Sequence, residues 1–249
     1  MKSFMFGPAG EELYGVLHLP AGDARRTAVV LCHPLPFEYM RRRWQHRQAA
    51  ELLAEQGFAV LRFDWSGTGD SAGDALPGSL AAAGRDVALA ASELSERTDR
   101  PFVCAAAMGG AAAVLARASQ DHGFAALLLV DPPLSGSDYL GALSARRAAE
   151  HQAAGETLGV RLPDTFRREL ESLRLLDAPP RADRVLLLAT AHEAGLRELE
   201  RAAAARGSDV TLRERPSAAD PRPSELEEAL LSNALPSEMA AFVAAELPA

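Results

Sequence analysis

The sequences VVLCHPLPFEYMRRRW at residues 29–44 and FAVLRFDWSGTGDSAGD at residues 58–74 decide the fold class of this chain. Each begins with a short apolar run typical of a buried β-strand, and polar or glycine-rich residues follow it directly. Residues 44–56 have the spacing of a helix, which ends before Gly57, a residue type that often terminates helices. A strand, a helix and a second strand in this order predict two parallel strands joined by a crossover helix.

The same alternation continues along most of the chain. The sequence predicts an opening hairpin at 3–6 and 13–19, further strands at 101–106, 124–130, 184–190 and 210–214, and further helices at 80–96, 109–119, 195–206 and 238–247. The segment at about 135–180 interrupts this pattern with two helical stretches that have polar faces, which predicts a small helical cap. We therefore predict a single α/β domain over residues 1–249, with a mostly parallel central sheet, helices on both of its faces and a cap insertion.

Size, composition and charge exclude several classes of function. The 249 residues are 48% hydrophobic and 24% charged, which is typical of a globular protein with a buried core. The net charge of −8 and the scattered basic residues argue against binding of duplex nucleic acid. No apolar run reaches the length of a membrane span or forms the core of a signal peptide, so we expect a cytoplasmic protein. The alanine-rich, lysine-poor composition is associated with bacterial genomes rich in G and C.

The residue types that bind cofactors and metals do not occur here in a binding pattern. Cys32 and Cys104 each lie in an apolar run, where a free thiol behaves as a small hydrophobic group. The sequence contains no phosphate-binding loop, dinucleotide fingerprint or spaced cluster of metal ligands, so we predict neither a cofactor nor a metal. The basic cluster Arg41, Arg42 and Arg43 is predicted to be a solvated loop and helix start, with a clamp for an anionic ligand as the alternative.

The two segments quoted above resemble α/β-hydrolases of the serine-aminopeptidase-like branch, and most closely the hydrolases associated with exosortase systems. The first segment matches the family's strand ending in His-Gly or His-Pro, where the following loop helps to build an oxyanion hole. The second matches its D-x-R-G-x-G-x-S pattern, here running from Asp64 to Ser71. This resemblance implies an α/β-hydrolase fold, in which a serine, a histidine and an acid form the catalytic triad.

The family's third motif, the G-x-S-x-G nucleophile elbow, is altered in this sequence. The motif requires a sharp turn between a strand and a helix, with small residues around an exposed serine. Aligned with residues 105–109, it places Ala107 at the nucleophile position, and a methyl group cannot attack a carbonyl. The family's histidine follows the last strand, but His192 is the last histidine here, and Glu193 lies only roughly where the acid is expected. We predict a natural loss of the triad, and hence no ordinary serine hydrolase activity.

The resemblance and the predicted topology place a pocket at the carboxyl ends of the parallel strands. The backbone N–H groups of Met108 and Leu35 are predicted to form a remnant of the oxyanion hole, to which Pro34 has no N–H to contribute. Trp65 and Pro132 follow two other strands and are predicted to line the same pocket.

Four side chains near this pocket are candidate acids or bases, and each also has a structural interpretation. They are His33, His192, Asp64 and Asp131. The structural interpretations are a buried hydrogen bond for His33, a surface turn for His192, a glycine-rich loop fixed by Asp64, and a turn capped by Asp131.

Three functions remain open on the sequence alone. The first is a protein that binds a small acyl-type or carboxylate ligand, or a protein partner, in the ancestral pocket without turnover. The second is an enzyme that reuses the pocket for acid–base chemistry such as cyclisation, elimination or a lyase reaction, by analogy with repurposed members of the superfamily. The third is a scaffolding or interaction subunit. The expected partner is a small molecule, and the sequence leaves the oligomeric state open.

Overall fold

The computed structural model of the chain describes residues 1–74, 76–149, 162–190, 194–215 and 232–248. Within these ranges the strands form one eight-stranded sheet in the order β1-β2-β4-β3-β5-β6-β7-β8. The strands are β1 (Lys2–Phe6), β2 (Leu13–His18), β3 (Thr27–Cys32), β4 (Ala59–Phe63), β5 (Phe102–Met108), β6 (Ala126–Val130), β7 (Arg184–Thr190) and β8 (Asp209–Arg215). β1 and β2 pair antiparallel, β2 also pairs antiparallel with β4, and the remaining neighbours are parallel.

Helices cover both faces of this sheet, as predicted. The helices are α1 (Pro36–Glu55), α2 (Leu80–Thr98), α3 (Gly110–Ala118), α4 (Gly136–Ala149), α5 (Asp164–Ser172), α6 (Ala194–Ala204) and α7 (Ala234–Glu246). On one face α2, α3 and α5 pack over a large apolar core, and on the other face α1 and α7 pack over a second core. Alternate residues of each buried strand supply the two cores, because successive side chains of a strand point to opposite faces. Among the described residues, no helix is both long and apolar enough to cross a membrane.

Helix α1 begins eight residues before its predicted start. The predicted helix started at Trp44, whereas α1 begins at Pro36 and follows β3 after a connection of only three residues. Proline is well tolerated at the first position of a helix, and an acidic residue in the first turn, here Glu38, interacts favourably with the helix dipole. The basic cluster therefore lies within α1 and not in a loop, and Arg42 pairs with Glu38 one turn earlier.

Other elements lie close to their predicted bounds. The strand predicted at 184–190 coincides with β7, whereas β5 extends two residues past the predicted end. Helices α4 and α5 fall in the segment predicted to form a cap, and they pack against each other. Residues 150–161 of that segment lie outside the described residues, so the cap remains a prediction. Cys32 and Cys104 are buried as free thiols, and burial raises the pKa of Cys104 to about 12.

Candidate functional site

The sharp turn between β5 and α3 is centred on Gly109. Its backbone angles are φ 56° and ψ −132°, a combination that residues with a side chain rarely adopt. The Gly109 N–H donates to the carbonyl of Val130 at 2.9 Å, which ties the turn to the end of the neighbouring strand β6. A strand that leads through such a turn into a helix is the geometry of a nucleophile elbow.

The structure corrects the predicted position of this elbow by two residues. Ala107 lies inside β5, where it pairs with Leu129 of β6 and is fully buried, so the prediction that it occupies the tip of the turn is wrong. Residues 107–111, AMGGA, also place small residues on both sides of a central position, and that position is Gly109. A run of alanines does not mark where a strand ends, whereas a glycine marks where a positive φ is easiest. Neither Ala107 nor Gly109 carries a nucleophilic group.

The carboxylate of Glu38 lies directly over this turn. A Cβ atom added to Gly109 would overlap the Oε1 atom of Glu38, so the carboxylate fills the space that a side chain at this position would take. The Oε2 atom accepts a hydrogen bond from the Gly110 N–H at 3.0 Å and another from the Tyr139 hydroxyl at 2.8 Å. The Nε atom of Arg42 lies 3.7 Å from Oε1. Groups from α1, α3 and α4 thus converge on one carboxylate.

The electrostatics of this cluster stabilise a negative charge. The Gly110 N–H belongs to the first turn of α3, where the helix dipole favours an anion. Burial, and then the negative charge of Glu38, raise the pKa of Tyr139 well above its usual value, so its hydroxyl stays protonated and remains a donor. Only 15% of the Glu38 side chain is exposed, which strengthens each of these hydrogen bonds relative to bonds made in bulk water.

The oxyanion-hole remnant predicted from the N–H groups of Met108 and Leu35 remains a prediction. Met108 is the last residue of β5 and precedes the turn, and the N–H that follows the turn belongs to Gly110. Leu35 is buried beside α1, and its carbonyl accepts the Glu38 N–H at 2.8 Å. The donors that meet at this position are therefore Gly110 and Tyr139.

The structure brings His33 and Asp64 together at the ends of β3 and β4. Their Nδ1 and Oδ1 atoms are 3.6 Å apart, and the His33 ring packs edge-on against the ring of His46, with 4.2 Å between centroids. Burial, helped by the positive charge of Arg62, lowers the pKa of His33 to about 3, so its ring is neutral near pH 7. Burial also raises the pKa of Asp64, whose Oδ2 atom accepts the Asp70 N–H of the glycine-rich loop at 3.3 Å.

Trp65 lies in the core, and its predicted place in the lining of a pocket remains a prediction. It is 1% exposed, packs edge-on against Phe63, and donates through Nε1 to the His33 carbonyl at 2.9 Å. Pro34 and Pro132 are also buried.

Asp131 lies at the end of β6 and pairs with a residue that the sequence did not single out. Its Oδ2 atom accepts a hydrogen bond from Arg215, the last residue of β8, at 2.7 Å. Its φ of 45° is unusual for a residue with a side chain, and its N–H donates to the Leu188 carbonyl of β7 at 2.9 Å. This backbone conformation fixes the carboxylate between the ends of β6 and β8.

Three residues of these clusters were not predicted, and two residues named from the sequence lie outside the described ranges. Glu38, Tyr139 and Arg215 were missed, and the one local signal was an acidic residue just after the family's strand-end motif. His192 and Glu193 lie outside the described residues. Within the described ranges, no three histidine, cysteine, aspartate or glutamate side chains are arranged to hold a metal ion.

Comparisons with known proteins agree with this architecture. The sequence profile named "Serine aminopeptidase, S33" matches residues 23–204. A solved α/β serine hydrolase described as having no lid, XC6422 from Xanthomonas campestris, is 18% identical with a TM-score of 0.62, and the match covers 100% of this chain and 95% of that one. A proline iminopeptidase from Mycobacterium smegmatis is 15% identical with a TM-score of 0.61, over 98% and 97% of the two chains.

A third solved structure, an α/β serine hydrolase homologue from Coxiella burnetii, is 16% identical with a TM-score of 0.60, over 96% of each chain. A search of curated proteins finds no match. The predicted α/β-hydrolase fold is confirmed by these similarities.

Proposed function

This chain belongs to the serine aminopeptidase (S33) family of α/β hydrolases, and from that premise we propose that it is a non-hydrolytic member. In this proposal, the protein binds a small acyl-type or carboxylate ligand in the ancestral pocket and does not form an acyl-enzyme. Its partner is then a small molecule, and its compartment is the cytoplasm.

One observation carries the proposal. The turn between β5 and α3, which we take as the nucleophile elbow, is centred on Gly109, and the Glu38 carboxylate fills the space that a side chain at Gly109 would take. Serine catalysis requires a hydroxyl at this position and a base within hydrogen-bond reach of it. Glycine supplies no hydroxyl, so the first covalent step of the usual mechanism has no nucleophile.

The donors that remain at this turn support a ligand with a carbonyl or carboxylate oxygen. The N–H of Gly110 and the hydroxyl of Tyr139 both point to a single oxygen atom, now Oε2 of Glu38. Donors fixed on rigid elements in this way stabilise an anionic or strongly polar oxygen. They do so without any contribution from a nucleophile, so binding can persist where catalysis has been lost.

Hydrolysis of p-nitrophenyl butyrate by the full chain tests the proposal, together with native mass spectrometry of the purified protein. We expect no saturable turnover and a retained small molecule that carries a carboxyl or acyl group. Saturable turnover with a kcat in the ordinary enzyme range, about 1–10³ s⁻¹, would contradict the proposal. A chain with Gly110→Leu, whose new side chain would overlap the Tyr139 hydroxyl at the turn, is the control, because it should abolish turnover by this protein and leave that of a contaminating esterase unchanged.

A second candidate function is acid–base chemistry of the cyclisation, elimination or lyase type. The contact between His33 and Asp64 at the strand ends favours it, because two titratable groups with displaced pKa values are typical of catalytic sites. His33→Asn and Asp64→Asn would then each abolish turnover of a substrate found by screening. Unchanged turnover in both variants would exclude this pair as the catalytic acid and base.

A further inference from the structure

We propose that Glu38 is a built-in competitor for the pocket, and that a small ligand binds by placing its own carboxylate where the Glu38 carboxylate now lies. The inference rests on the proposed function, because it names the ligand chemistry of the same site. It concerns an exchange of one carboxylate for another on the Gly110 N–H and the Tyr139 hydroxyl.

The site already holds a carboxylate and fits it closely. The two donors contact Oε2 at 3.0 and 2.8 Å, and they come from different helices, α3 and α4. A Cβ added to Gly110 would overlap the Tyr139 hydroxyl, so these two groups also pack tightly against each other. Hydrogen bonds to an ionised acceptor are about twice as strong as neutral ones, so the donors select an anion over a neutral group of the same shape.

The Glu38 side chain can leave the site without losing its charged partner. Arg42 lies one turn further along α1, and its Nε atom is 3.7 Å from Oε1 of Glu38. Because both residues are on the same helix, the ion pair can move with the Glu38 side chain toward solvent. The Arg42 side chain is 25% exposed, so the displaced pair has a route to water.

The arrangement of donors suits a carboxylate better than a phosphate. Both neutral donors converge on one oxygen, and a single guanidinium lies near the other oxygen. This set matches the two oxygens and single charge of a carboxylate. A phosphate group carries up to two charges and three acceptor oxygens, and would leave some of them without a partner here.

Competition of this kind weakens the apparent affinity for the ligand, because the ligand can bind only while Glu38 leaves the site free. The apparent dissociation constant is the intrinsic constant divided by that fraction. A substitution that weakens the internal competitor therefore tightens ligand binding, which is the opposite of what loss of a ligand-contacting residue does.

The test is a titration of the full chain with butyrate, followed by the ¹⁵N–¹H signal of the Gly110 amide. We expect butyrate to shift this signal and the neutral butyramide to leave it unchanged. Glu38→Gln keeps the side-chain volume and the acceptor oxygen but removes the charge, so we expect it to bind butyrate roughly tenfold more tightly. Tyr139→Phe in the Glu38→Gln chain removes one donor and should reverse most of this gain.

Glu51→Gln is the matched control, because Glu51 lies on the same helix and pairs only with the exposed Arg47 among the contacts described. Equal butyrate affinity in the Glu38→Gln and Glu51→Gln chains would overturn the proposal. So would a Gly110 signal in the unaltered chain that butyrate does not move, a result that does not depend on the folding of any variant. Ester turnover, in contrast, would overturn the proposed function and leave this titration interpretable.

Discussion

Two polar clusters lie at the carboxyl ends of the strands, and they differ in the groups that surround their ionisable side chains. His33 and Asp64, with His46 behind them, are buried groups whose pKa values shift toward the neutral forms. Glu38 accepts hydrogen bonds from Gly110 and Tyr139 and lies near Arg42, so the groups around its carboxylate come from three helices. In the proposed function the second cluster is the anion site, whereas the first cluster supplies the candidate acid and base of the alternative function. Histidine is the residue type that suggests catalysis, yet the proposed function places the ligand site at the turn that the Glu38 carboxylate covers.

The pH dependence of stability is the largest expected difference between the two clusters. The pKa of His33 is lowered to about 3, so the unfolded chain binds a proton at this residue more readily than the folded chain. The free energy of unfolding should fall as the pH drops from about 6.5 toward 3, by roughly 1.4 kcal/mol per pH unit for this group. The raised pKa of Asp64 acts in the opposite direction above its usual value of 3.8.

Urea unfolding at several pH values measures this slope. His33→Asn should flatten it between pH 6.5 and about 5, whereas Glu38→Gln should leave it nearly unchanged in that window. An equal slope in the His33→Asn chain and the unaltered chain would show that His33 is not buried as the neutral form.

Gly109→Ser is expected to have the next largest effect. A serine here would have to keep the positive φ of Gly109, which is strained for a residue with a side chain, and its Cβ would overlap the Glu38 carboxylate. The free energy of unfolding should therefore fall by about 1–3 kcal/mol. Adding Glu38→Ala should recover part of the loss, because the two side chains compete for one space. Urea denaturation of both chains measures this, with Gly123→Ser as the unhindered control. Additive effects of the two substitutions would contradict the overlap.

Arg215→Met tests the ion pair that joins the ends of β8 and β6. The pair with Asp131 is short, at 2.7 Å, and both side chains are less than a quarter exposed. Its loss should cost about 1–2 kcal/mol, which allows for partial screening by solvent. Thermal unfolding of Arg215→Met beside Arg206→Met, which removes an exposed arginine, is the comparison. Equal melting temperatures would mean that the pair contributes nothing to stability.

Arg42→Met should have the smallest effect. The 3.7 Å contact with Glu38 is loose, and the carboxylate keeps its two neutral donors, so we expect a loss of about 0.2–1 kcal/mol. Urea denaturation detects a change of this size when the m-value is unchanged. A loss above that range would mean that Arg42 and not the neutral donors holds the Glu38 carboxylate.

The fold was predictable because it depends on local patterns. Apolar runs such as 184–190 and 58–63 bounded by polar or glycine-rich residues define the parallel strands without knowledge of their neighbours. The start of α1 was missed because Pro36 and the arginine cluster are typical of a loop as well as of a first helical turn. A single proline decides between the two only when the length of the preceding loop is known.

The candidate site was only partly predictable, since it depends on contacts distant in sequence. The Glu38–Tyr139 hydrogen bond joins residues 101 positions apart, and no periodicity along the chain encodes such a pair. The turn was predicted two residues too early, because the alanines at 105–107 fit either a strand or a turn. The missing nucleophile was predicted from Ala107 and belongs to the proposed function, in which Gly109 lacks a nucleophilic group for the same chemical reason.

The most direct test of this account is intact-mass spectrometry of the full chain after treatment with a fluorophosphonate probe, which labels activated serine nucleophiles. The account predicts an unchanged mass, because Gly109 and the Glu38 carboxylate occupy the position where an activated serine would lie. A stoichiometric adduct that maps to any serine would mean that the protein has an activated nucleophile after all, and would contradict the central claim.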